Sequence, residues 1–167
     1  MTEVKIGKGY KDMAESLFDL LDFARSATLK AVEGISESTA DVVPEGLSNN
    51  IRWNLGHIFS SLEHLTLGFA GEPVQTPEEF RKFFGSGTKP AEWVGEAPRL
   101  EELFKLLSEQ PKRIRQKLES RLNEEVATPF AIPGLTLKTI GELLAFTLYH
   151  EGIHVQNIKN LRKLSER

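Results

Sequence analysis

Five residues late in the chain read His150-Glu151-Gly152-Ile153-His154. Imidazoles four apart on a helix stand one above the other on the same face. Two neutral imidazoles so placed can hold one divalent cation. The chain has four histidines and no cysteine. Any metal must therefore be held by His, Asp or Glu, and no protein thiolate enters the chemistry. A third histidine, His57, lies in a separate helical stretch, within the row Asn54, His57, Ser61, His64 and Gly68. That row is polar but uncharged, as a row facing a cleft inside a bundle would be; a solvated face more often carries Lys and Glu. These positions predict a metal centre of His57, His150 and His154 shared between two helices. His64 lies on the same row, but about 10.5 Å along the axis from His57, too far to join the same ion.

Three nitrogens leave at least one coordination position open, as catalytic sites do and closed structural sites do not. A cation there acidifies a bound water or thiol and polarises a carbonyl. All-nitrogen ligation suits a divalent transition metal, Zn or Ni being the expectation, with Cu and Fe compatible. The letters His-Glu-x-x-His also spell the zinc-protease motif, where the Glu is the general base. That reading needs a further ligand downstream, but the residues after His154 include no His, and Glu166 is their one acid. Glu151 lies about 100° round the helix from His150. It is the candidate catalytic residue, acting on a metal-bound water or supporting a ligand. The alternative for Glu151 is a solvated surface charge.

Helices must position these groups. Tyr10, Met13, Ala14, Leu17, Leu20, Leu21, Ala24 and Ala31 recur at helical spacing and predict a first helix over Tyr10 to Ile35. A second runs from Asn50 to Phe69, capped by Ser48 or Asn49, with a core stripe of Ile51, Leu55, Ile58, Leu62, Leu65 and Phe69. Arg52, Gly56, Phe59 and Glu63 share its other side, which the charges mark as solvent-facing. Gly71 to Pro98 is irregular and proline-rich, with a short capped helix expected at Thr76-Pro77-Glu78-Glu79-Phe80. It is long enough to run the length of a bundle, so that helices two and three point the same way. The third helix spans Arg99 to Asn123, with Pro111 expected to kink or split it. Pro129 to Gly134 breaks the chain again, and Thr136 caps a last helix reaching Leu164.

The whole reads as a single all-α domain over 1–167, a four-helix bundle ordered up-down-down-up with a long crossover between helices two and three. With 167 residues, 40% of them apolar, the chain can bury a real core. A net charge of −3 gives no reason to expect nucleic acid or an anionic membrane as partner. The cluster Lys112, Arg113, Arg115, Lys117 and Arg121 is matched by Glu109, Glu119 and Glu124 and has no interleaved aromatic platform, so it reads as a solvated face. No apolar run approaches the roughly 20 residues of a membrane span, and the N-terminal stretch lacks the apolar core of a leader. The cytoplasm is the expected location.

Three stretches resemble the DinB-like superfamily of bacterial four-helix proteins, also called the DinB/YfiT-like fold. They are Trp53-Asn54-Leu55-Gly56-His57, the segment Phe83-Phe84-Gly85-Ser86-Gly87-Thr88-Lys89-Pro90, and Gly141-Glu142-Leu143-Leu144 leading to His150-Glu151-Gly152-Ile153-His154. The resemblance covers nearly the whole chain and implies an up-down-down-up bundle with a divalent metal on His57, His150 and His154. Where many relatives continue the last motif as His-x-Gly-Gln-Ile, this chain has His154-Val155-Gln156-Asn157-Ile158. Characterised members include transferases that use bacillithiol, mycothiol or glutathione, and a mycothiol-dependent isomerase. The resemblance thus implies a metal-dependent enzyme moving a low-molecular-weight thiol onto a small-molecule electrophile. A metal-dependent hydrolase of a small ester or amide, with Glu151 as base, is the alternative. A third reading is a non-catalytic, metal-stabilised stress protein. A homodimer is the assembly seen among similar proteins.

Overall fold

The computed structural model describes residues 8–166. The leader expectation falls largely on residues outside that range, and the side chain of Tyr10 also lies outside what is described. Helix α1 spans Lys8–Ala31, and a five-residue helix α2, Glu37–Asp41, follows it. Helix α3 covers Ile51–Leu62 and winds on as a π turn over Glu63–Gly68. Helix α4 is Phe80–Phe84, and a single 3₁₀ turn, Pro90–Glu92, precedes helix α5, Leu100–Leu118. Strands β1, Glu125–Ile132, and β2, Leu135–Thr139, form an antiparallel hairpin that leads into helix α6, Ile140–Ser165. Four main helices, α1, α3, α5 and α6, pack together. No helix among the described residues is long and apolar enough to cross a membrane.

The contacts fix the sense of each pair. Arg25 meets Glu151 and the Ala31 carbonyl meets Arg162, so numbers rise together along α1 and α6. Asn54 meets His154 while the His57 ring lies against His150, so they run oppositely along α3 and α6. The Phe59 carbonyl meets Gln110 and Glu63 meets Arg113, a shared sense for α3 and α5. Asp19 meets Arg115 and Arg25 meets Gln110, opposed senses for α1 and α5.

The hairpin corrects the all-α expectation. Pro133 and Gly134 make its two-residue turn, with Gly134 at φ +83° closing the Ile132–Leu135 pair. The register is irregular between Glu125 and Phe130, which is where Pro129 is tolerated without breaking the strand. The cap of α6 moves with it. Thr139, not Thr136, accepts from the Glu142 amide, and the Glu142 carboxylate accepts from the Thr139 amide in a capping box. Asn50 likewise caps α3, its side chain accepting from the Trp53 amide at 2.8 Å.

Three further expectations are corrected by burial. Along α1 the buried stripe is Ala14, Phe18, Leu21, Arg25, Thr28 and Val32, whereas Met13 and Leu20 are exposed. Two polar residues in that stripe had hidden it from an apolar count. On α3 the side taken as solvent-facing is buried. Arg52 is held by Glu37 and Asp41, Glu63 by Arg113 and Gln110, and Gly56 gives room to the Phe84 ring. Pro111 does not split α5. A proline frees the carbonyl four residues back, and here the Leu107 carbonyl accepts instead from Arg25 Nη1 at 2.7 Å.

Two apolar clusters fill the bundle, one around Phe59, Phe80 and Phe84 and one around Phe18, Leu62 and Leu118. Polar side chains are buried among them: Arg25 and Thr28 on α1, Glu63 in the π turn, Gln110 on α5, and Thr147 and Glu151 on α6.

Candidate metal centre

Opposed packing of α3 and α6 brings His57 against the two imidazoles of α6. Ring centroids lie 5.1 Å apart for His57–His150, 4.9 Å for His57–His154 and 4.5 Å for His150–His154. One nitrogen from each of the three lies within 4.8 Å of the others, a cluster able to hold a metal ion. The Nε2 atoms of His150 and His154 face each other at 3.3 Å. Two ligands about 2.0–2.1 Å from a tetrahedral zinc would stand about 3.3–3.4 Å apart, so this pair needs almost no adjustment.

The surrounding hydrogen bonds decide which nitrogen is free in two of the three rings, His154 and His57. Asn54 Nδ2 donates to the Asn50 carbonyl at 2.8 Å, which turns Asn54 Oδ1 toward His154. An amide oxygen only accepts, so His154 Nδ1 at 2.7 Å carries the proton and Nε2 keeps its lone pair. By the same logic His57 Nδ1 donates to the Phe84 carbonyl at 2.7 Å and leaves its Nε2 free, with the Ser61 hydroxyl 3.4 Å away. Trp53 stacks on His57 with centroids 4.5 Å apart and planes within 13°. Trp53 is itself held through Nε1 to Thr88 Oγ1 at 2.9 Å, and Thr88 donates to the Phe83 and Gly85 carbonyls. In Trp53-Asn54-Leu55-Gly56-His57, Trp53 and Asn54 hold imidazoles while Leu55 is buried in the apolar core. Gly56 is there because any Cβ would come within 2.3 Å of the Phe84 ring, whose carbonyl holds His57.

Burial keeps the rings neutral. It pushes His154 down to about 3, helped by the neighbouring His150 and His57, and His150 down to about 4, helped by His57. His57 is also lowered by burial, partly offset by its bond to the Phe84 carbonyl. All three then present the form that binds a cation at neutral pH.

Glu151 is not brought to the cluster. It is buried at 3% exposure, so it is no surface charge, and it points toward α1. Its Oε1 accepts from Arg25 Nε at 2.9 Å and Thr28 Oγ1 at 2.6 Å, and its Oε2 from Arg25 Nη2 at 3.2 Å. Arg25 continues to Gln110 Oε1 at 2.9 Å, and Gln110 Nε2 donates to the Phe59 carbonyl and to Glu63 Oε1. The chain of contacts ends at Arg113 and, from Glu63 Oε2, at the Gln75 amide. This network joins all four main helices. Its signal in the sequence is Arg25, a charged residue in helical line with Phe18 and Leu21. His64 is exposed, lies edge-on to Phe69 at 5.5 Å, and is not part of the cluster. A groove of about 910 Å³ between α1 and α5, lined by Asp22, Lys30, Phe104 and Lys112 among others, includes none of the three imidazoles.

A family model described as the DinB superfamily matches residues 20–158, a span that contains every residue of the cluster and of the bonds that orient it. No curated protein matches the chain.

Proposed function

The chain belongs to the DinB superfamily, and from that premise we propose that it is a metal-dependent enzyme whose ligands are His57, His150 and His154. The observation that carries this is the convergence of the three imidazoles, one nitrogen from each within 4.8 Å of the others, with Nδ1 of His57 and of His154 pinned so that their Nε2 atoms keep the lone pair. The sense of the helix contacts supports an up-down-down-up bundle whose crossover, residues 69–99, delivers the Phe84 carbonyl to His57. A divalent ion on three neutral nitrogens, zinc or nickel, supplies Lewis acidity that lowers the pKa of a bound thiol or water. With no cysteine in the chain, the thiol would come from a low-molecular-weight cosubstrate and be transferred to a small-molecule electrophile.

The residues of the chain then have limited work: Asn54 and the Phe84 carbonyl orient two ligands, and Trp53 closes one flank. Hydrolysis with Glu151 as general base has less support, since both its oxygens are occupied by Arg25 and Thr28. Glu151 is better placed as a positioning residue. A homodimer in the cytoplasm remains part of the proposal.

Elemental analysis of untagged protein, repeated on His57→Ala and His154→Ala, is the first test. About one equivalent of zinc or nickel is expected in the wild type and a small fraction in the variants. Conjugation of a model electrophile is then measured with several thiols on metal-loaded and stripped protein. A bound metal with no metal-dependent rate for any thiol would reject the transferase and favour a metal-stabilised, non-catalytic protein, whose melting temperature falls on chelation.

A further inference from the structure

A row of aromatic rings runs outward from His150, and neither the ligands nor the bonds that orient them use it. Phe146, one turn before His150 on α6, has its ring 6.5 Å from that imidazole. Phe130 of β1 stands 5.7 Å from Phe146, and Phe69, just past the π turn, stands edge-on to Phe130 at 5.9 Å. Tyr149 flanks Phe146 at 6.1 Å. Three separate elements supply these rings, so no single helical period accounts for the row.

Their burial sets them apart from core aromatics. Phe69, Phe130 and Phe146 are each only half-buried, and Tyr149 is 65% exposed. The hairpin is seated by Val126 and Leu137, which are buried, and the three phenylalanines pack against the same cluster while leaving part of each ring uncovered. Rings needed only to seal it would be covered like Phe59 or Phe84, which are fully buried. The opposite flank of the imidazoles is closed by Trp53 on His57 and Asn54 on His154. The half-open flank is therefore the aromatic one.

We infer that Phe146, Phe130, Phe69 and Tyr149 wall a subsite for a flat, apolar, ring-bearing second substrate, held beside the ion next to His150. The wall carries no formal charge and offers ring faces and edges, which bind another ring by offset or edge-on contact. His64 at the far end of the row can meet a polar tail. The inference rests on the metal-centre reading and adds the class of electrophile that the centre serves.

Two hydroxamates separate the inference from its premise. Benzohydroxamate and acetohydroxamate chelate zinc through the same atoms and differ by a ring. Each is titrated calorimetrically into the zinc-loaded protein, and the result is corrected for its affinity for free zinc. The wild type is expected to prefer the benzo compound by about tenfold. Phe146→Leu, which keeps apolar bulk, and Phe130→Ala should each remove most of that preference, while Phe23→Ala, on an exposed part of α1, should not. Thermal melts report whether Phe130→Ala stays folded, and Phe146→Leu carries the test alone if it does not. Equal corrected affinity for the two compounds, or a preference undiminished in Phe146→Leu, would overturn the subsite and leave the metal centre standing. Failure of the protein to load with zinc would reject the metal centre, and binding of neither compound to loaded protein would reject an open position on the ion; either outcome overturns the subsite.

Discussion

Replacing Asn54 by Ala isolates the claim that the fold sets the tautomer of a ligand. Asn54 is 2% exposed, and its Oδ1 accepts from His154 Nδ1–H at 2.7 Å. Removing that acceptor leaves a buried N–H without a partner, a penalty of about 1–3 kcal/mol. It also frees the His154 ring to turn or to move its proton to Nε2, the nitrogen facing His150. Loss of such a supporting bond weakens metal binding by about 10–100-fold, equivalent to about 1.4–2.8 kcal/mol. The assay is competition for zinc against a chromophoric chelator at neutral pH, with chemical denaturation of the metal-free protein alongside. Asn54→Asp should behave oppositely in the two measurements. Its carboxylate still accepts from Nδ1–H and makes the ring more basic, so zinc affinity should equal or exceed that of the wild type. The metal-free form should be less stable, because a buried carboxylate then has no compensating cation. Zinc affinity for folded Asn54→Ala within about twofold of the wild type would mean that the Asn54 bond does not set the His154 tautomer.

Glu151→Gln should cost about 3 kcal/mol or more in a denaturation curve, since the buried Arg25 loses its counter-charge. Zinc affinity should change by no more than about threefold; a large loss of affinity with stability intact would return Glu151 to the metal. For pH, His150 at about 4 and His154 at about 3 in the folded protein contrast with about 6.5 in the unfolded chain. Below pH 6.5 the unfolded state takes up protons that the folded, metal-free state refuses. The stability of that state is therefore complete above 6.5 and falls as pH drops toward 4, by about 2 kcal/mol per histidine at pH 5. Urea unfolding of stripped protein at pH 7, 6 and 5 measures this, and a flat profile would contradict the burial of the rings.

The four main helices and the three imidazoles were legible because each rests on periodicity. Leu55, Ile58 and Leu62 mark one face of α3, and four residues separate His150 from His154. Misreadings arose where a physical need was met by a residue distant in sequence. Pro111 reads as a break when only α5 is considered, but the helix runs on through it and the freed Leu107 carbonyl is taken by Arg25, 82 positions earlier. Arg52 and Glu63 look solvated from α3 alone, yet their partners are on α2 and α5. The hairpin was obscured because Pro129 and Pro133 read as breakers, although one falls where the register is irregular and the other makes the turn.

Those long-range bonds also explain how a metal centre can be built without any ligand on α1 or α5. A buried ion pair such as Arg25–Glu151 contributes little net stability, because desolvation offsets most of the attraction. Its effect is on register. Apolar side chains tolerate a slide of one helix past another, since neighbouring hydrocarbon contacts are nearly interchangeable. A forked guanidinium shared by Glu151, Gln110 and the Leu107 carbonyl does not, because each displaced bond leaves a buried polar atom unpaired. Gln110 then passes the constraint to the Phe59 carbonyl, two residues beyond His57. Glu151 precludes the same slide for its neighbour His150. The two helices that carry the imidazoles are thus indexed to each other through a third and a fourth, and the approach of His57 to His150 and His154, at ring-centroid distances of 5.1 and 4.9 Å, is held by that indexing rather than by the apolar core.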